Sequence, residues 1–122
     1  MKNPTRTELI DLSKCHCMAD RIGKYLDHLM IQFDAHDFKN TCKAIYYLIR
    51  GDEWINGQNP RTLAGCVFYI AMMKQAPHSN ITQKHIAKSL DISVLAIRNY
   101  IKLYHHYKHD IDFMTVEEDE EE

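Results

Sequence analysis

Glycine and proline are scarce, four and three among 122 residues. With apolar residues recurring at intervals of three and four, that scarcity predicts an all-α chain. No apolar run reaches the roughly 18 to 20 residues of a membrane span, and the opening Met1 to Leu12 lacks the apolar stretch of a secretory signal. The chain is therefore expected to be soluble and intracellular, with no membrane partner. Paired cysteines at metal-knuckle spacing are also missing. Cys15, His16 and Cys17 are neighbours, there is no second pair, and on a helix such neighbours point in different directions. Cys15, Cys17, Cys42 and Cys66 are expected to be small buried apolar residues, and no metal or other cofactor is expected. Nor is there an H-E-x-x-H, a nucleophile elbow or a phosphate loop. His16, His28 and His36 are scattered, whereas His105, His106 and His109 end a helix, where cationic or capping histidine is favourable. These absences read as a non-enzyme without catalytic residues or a small-molecule substrate.

What remains is one domain long enough to bury a sizeable core without disulfides. The net charge of −2 conceals a segregation of charge. Residues 1–81 carry +2, residues 82–109 carry +4 with four histidines, and residues 110–122 carry −8. A basic body is thus masked by an acidic end, so the neutral total does not exclude a nucleic-acid partner. The last ten residues are low-complexity acid and are expected to be disordered.

Spacing then divides the body. Thr7 to Met30 carries Leu9, Leu12, Met18, Ile22, Leu26 and Leu29 at helical intervals, as one long helix or two shorter ones, with Gly23 weakening its middle. Asp34 to Asp37 is a turn. Phe38 to Arg50 is a second helix with Cys42, Ile45, Tyr46 and Ile49 inward, ended by Gly51 and Asn56-Gly57. Pro60 opens a third helix over Arg61 to Gln75. Leu63 to Met73 is apolar on every side, the mark of a helix buried on every side, and its Ala64, Gly65 and Ala71 let neighbours approach closely. A short helix capped by Thr82 runs to Leu90, and a last helix runs from Val94 to about Tyr107.

Gln83 to Tyr104 fits a helix-turn-helix. Ala87 is small where the helices cross, Ile86 and Leu90 face inward, and Ile92 plugs the turn. Asp91 takes the turn position usually held by glycine, and Ser93 caps the second helix. Val94, Ile97, Ile101 and Tyr104 form the buried stripe, leaving Leu95, Arg98, Asn99 and Lys102 opposite. That face suits a major groove: Arg pairs with guanine O6 and N7, an aliphatic group touches a thymine methyl, and Lys takes phosphate. Leu95 also suits a docking contact with another protein, so an adaptor without sequence-specific DNA binding stands as the alternative.

Arg61 to Ala71, Thr82 to Ala87, Ala96 to Asn99 and Ile101 to Tyr104 together resemble the second, C-terminal cyclin-like repeat of the transcription factor IIB family. The resemblance covers about residues 37–111. It implies a five-helix cyclin-like bundle ending in a helix-turn-helix, with residues 1–111 as a single repeat, the helix-turn-helix at 82–107, and 112–122 as an acidic disordered tail. It further implies promoter recognition upstream of the TATA box in RNA polymerase transcription initiation, with Arg98 and Leu95 reading bases. Gln83, Lys84, Ser93, Asn99 and Lys102 are then placed near the backbone or groove edge. The implied partners are double-stranded promoter DNA, the TATA-binding protein and RNA polymerase. The implied location is the nucleus in a eukaryote, or the cytoplasm or nucleoid for an archaeal or viral chain. His85 stands where the family has Glu, and the zinc ribbon and paired repeat of complete members have no counterpart in these 122 residues. The acidic end lies outside the family pattern, and its expected role is to solubilise or to compete with phosphates for the basic face.

Overall fold

The computed structural model describes residues 17–108, and they form an all-α bundle of five helices. These are α1 (Met18–Gln32), α2 (Lys39–Ile49), α3 (Pro60–Gln75), α4 (Gln83–Leu90) and α5 (Val94–Lys108), with 3₁₀ turns at His36–Phe38 and Glu53–Ile55. The expected first helix begins at Met18 within the described residues and ends two residues beyond Met30; Leu9, Leu12, Cys15 and the acidic end lie outside them. No described helix is long and apolar enough to cross a membrane.

Helix α3 is the axis of the fold. Asn59 caps it by accepting N–H bonds from Arg61 and Thr62 (2.8 and 3.4 Å), and Pro60 occupies the first turn, where its missing N–H is harmless. Thr62 to Met72, eleven consecutive residues, are all buried, and the other four helices pack around them. Helix α1 runs parallel to α3, with Arg61 over the Tyr25 ring at 5.8 Å and Phe33 stacked on Phe68 at 5.9 Å. Helix α2 runs antiparallel to α3. Thr41 at its start donates to Gln75 Oε1 (2.7 Å), and Gln75 Nε2 donates to the Asp37 carbonyl (3.0 Å). Helix α5 also runs antiparallel, because Ile97 lies beside Gly65 while Tyr100 Oη accepts the Asn59 N–H (3.0 Å).

Cys42 and Cys66 are fully buried, and burial pushes the Cys42 thiol up to about 12. Cys17 departs from the expectation for the cysteines: it is exposed, since it precedes the first turn of α1. Tyr46 is half-buried rather than inward. Helix α2 starts at Lys39, one residue late, because Phe38 closes the preceding 3₁₀ turn with its ring against Phe68 (5.7 Å).

Two helices stop in the same way. After α1, Ala35 N–H reaches the Met30 carbonyl (2.8 Å) and Asp34 N–H reaches Ile31 (3.3 Å), with Asp34 at φ 54°. After α4, Ile92 N–H reaches Ala87 (3.0 Å) and Asp91 N–H reaches Lys88 (3.2 Å), with Asp91 at φ 60° and ψ 49°. Both are Schellman motifs with aspartate in the left-handed position that glycine fills at least cost. A carboxylate there also opposes the negative helix end. Asp91→Gly is expected to raise stability by about 0.5–1 kcal/mol, measured by urea unfolding, whereas Asp91→Val lowers it because a β-branched residue resists this conformation.

Candidate nucleic-acid interface

Helices α4 and α5 are joined by Asp91, Ile92 and Ser93. The cap of α4 is reciprocal. Thr82 Oγ1 accepts the His85 N–H (3.2 Å), and His85 Nδ1 accepts the Thr82 N–H (3.1 Å). His85 thus performs the task that Glu performs in an ordinary capping box, through a ring nitrogen that must be unprotonated to accept. Burial of Ile86, Ala87 and Leu90 then fixes α4 on the bundle. Ser93 Oγ accepts the Ala96 N–H (3.0 Å), which opens α5, while Ile97, Ile101 and Tyr104 are buried and Val94 is half-buried.

The closeness of these helices to α3 depends on Gly65. A Cβ at that position would lie 3.0 Å from Leu90 Cδ1, 3.3 Å from Ile97 Cδ1 and 3.4 Å from Ile86 Cγ2. A side chain is missing where three converge, so α4 and α5 both seat directly on the α3 backbone. Tyr100 holds α5 from the other side, edge-on to Trp54 at 6.4 Å and 89°. Trp54 is itself fixed by donating to Asp52 Oδ2 (3.1 Å).

Of the residues expected at a DNA surface, Lys84, Ser93, Asn99 and Lys102 are exposed, Leu95 is 59% exposed, and Arg98 is half-buried beside them. Leu95, Asn99, Lys102 and His106 recur at four, three and four, so they form one exposed stripe along α5 with Arg98 at its edge. Neither α4 nor α5 contains an acidic residue. The stripe therefore combines cations, an amide and one apolar side chain without a competing carboxylate on either helix. The Ser93 oxygen is engaged as a cap acceptor, which leaves its O–H to donate.

Gln83 requires correction. It is only 6% exposed, because Gln83, Ile86, Ala87 and Leu90 lie on the same inward face of α4. It is a packing residue at the α4 start and does not reach the exposed stripe. His105 is likewise 1% exposed, since it continues the Ile97, Ile101 and Tyr104 stripe, whereas His106 is exposed. His109 lies outside the described residues.

Among the described residues no group of three His, Cys, Asp or Glu side chains is placed to hold a metal ion. Trp54 and Tyr100, which the sequence reading did not single out, are the residues that orient α5. Their signal was weak, a lone tryptophan between glycines and a tyrosine beside the expected stripe. A scan against protein-family models and searches of curated proteins and solved structures find no match to this chain.

Proposed function

We propose that this chain is a DNA-binding module in which α4, the Asp91–Ser93 turn and α5 act as a helix-turn-helix, with the exposed stripe of α5 in the major groove. The observation that carries this reading is the exposure of Leu95 one turn before Arg98 on a helix pair bearing Lys84, Lys88, Arg98 and Lys102 and no acid. Arg98 is assigned to guanine and Leu95 to a thymine methyl. Asn99 lies at the groove edge, and Lys84, Lys88, Ser93 and Lys102 take phosphates. The resemblance to the second cyclin-like repeat of the transcription factor IIB family supports reading this activity as one at promoters, upstream of the TATA box, in aid of RNA polymerase initiation. The TATA-binding protein and the polymerase are the protein partners in this reading, and the chain works by binding rather than by catalysis.

Duplexes selected from a random pool, followed by mobility shift with single variants, test it. Arg98→Ala is expected to weaken the selected site by roughly 1–3 kcal/mol and to relax preference at one position. Lys102→Ala is expected to weaken all sequences alike and to flatten the salt slope by about one. Failure to recover any preferred duplex, with neither variant altering binding, removes the base-reading proposal in favour of a protein adaptor.

A further inference from the structure

Helices α1 and α2 carry a feature that the proposed DNA binding does not use. Between the first half of α1 and the last half of α2 lies an open groove of about 300 Å³, whose lining includes Ile22, Leu26, Lys43, Tyr46, Tyr47 and Arg50. Arg50 sits over the Tyr47 ring at 4.5 Å, and Tyr47 and Leu48 are 60% and 55% exposed. Helix α2 carries Lys39 and Lys43 and no acid, with Arg50 directly after it. The groove is thus apolar at its base and cationic at its rim, a combination that suits a peptide alternating apolar and acidic side chains.

We propose that this groove is the docking site of the chain's own C-terminal segment, with Ile111, Phe113, Met114 and Val116 entering the groove and the flanking acids meeting Lys43 and Arg50. Two observations select this occupant. One is position. Helix α3 begins at the end of the bundle where Arg61 covers Tyr25 of α1, and α5 passes that same end at Tyr100 on its way out. The chain leaves α5 at Lys108, and the remaining 14 residues reach up to about 45 Å when extended. A domain of this size has a radius of gyration of about 13 Å, so the span is ample.

The other is chemistry. Asp110-Ile111-Asp112-Phe113-Met114-Thr115-Val116 interleaves acids with large apolar residues before the run Glu117 to Glu122. Residues 1–16, which precede α1 in the sequence, carry a net +1 and so share the sign of the groove. Among the described side chains of α4 and α5 the only strongly exposed large apolar one is Leu95, which would leave the apolar residues of the segment without cover there.

Amide NMR of the full chain tests the proposal. In the wild type the ¹⁵N heteronuclear NOE of residues 110–116 is expected to match that of α5. Tyr47→Ala with Arg50→Ala, both exposed positions, is expected to lower it to free-chain values. Phe113→Ala with Met114→Ala is expected to shift amides of Ile22–Leu26 and Lys43–Arg50, and raising salt from about 50 to 500 mM is expected to release part of the segment. Free-chain values in the wild type overturn the proposal. So do shifts confined to α4 and α5, groove contacts from residues 1–16, or groove shifts that grow with protein concentration and so report the segment of a second copy.

Discussion

Exchanging Lys84, Lys88 and Lys102 together for glutamate is expected to lower affinity for duplex DNA by about 4 kcal/mol, roughly a thousand-fold. Each lysine that meets a phosphate displaces a condensed counterion, so losing three contacts is expected to reduce the slope of log K against log salt by about three. The glutamates add repulsion to that loss. All three side chains are exposed, so the fold should be indifferent. Local effects on α4 also oppose one another. Lys84 lies in the first turn, where glutamate suits the helix end, and Lys88 lies in the last, where glutamate offends it, each by about 0.5 kcal/mol. The check is a titration at several salt concentrations beside a thermal melt. An unchanged melt with affinity within about threefold of wild type would mean that α4 and α5 are not the DNA surface, since three phosphate contacts cannot vanish at so small a cost.

Phe68→Ala is expected to cost about 4 kcal/mol of folding stability. Phe68 is fully buried on the central helix, stacked on Phe33 at 5.9 Å and tilted against Phe38 at 5.7 Å. Truncation removes the transfer energy of the ring, opens a cavity, and deletes two aromatic contacts worth about 0.5–1.5 kcal/mol each. The three rings come from the C-cap of α1, the 3₁₀ turn before α2, and α3, so neighbouring side chains cannot close the gap without moving separate elements. Domains of this size melt about 4–8 °C lower per kcal/mol lost, which predicts a fall of about 20 °C by calorimetry. Phe68→Leu, which keeps most of the volume, should recover more than half of it. A fall under about 5 °C for the alanine variant would show that the aromatic trio does not hold the bundle.

Much of this arrangement was legible in the residues, for identifiable reasons. The burial of α3 on every side follows from eleven consecutive residues that offer no polar face. The left-handed Asp91 and the Ser93 cap follow from local turn chemistry, which needs no knowledge of the rest of the fold. Gln83, which the resemblance sets near the groove edge, is instead buried, because Gln83, Ile86, Ala87 and Leu90 fall at intervals of three, one and three on one face. His105 repeats the lesson on α5, where position in the stripe outweighs residue type. The 3₁₀ turn that buries Trp54 and Ile55 is too short to have a period. The His85 cap escaped because the usual motif has Glu or Gln at that place, and the tyrosine groove escaped because it exists only once α1 and α2 are side by side.

The aspartates that terminate α1 and α4 also bear on how such a chain can change over generations. Every aspartate codon is one nucleotide from a glycine codon, so the stabilising exchange at Asp34 or Asp91 is a single mutational step. Two such steps hold roughly 1–2 kcal/mol in reserve. That reserve is comparable to the cost of an average point substitution, so a lineage altering its exposed α5 stripe can absorb a destabilising change without repacking the core.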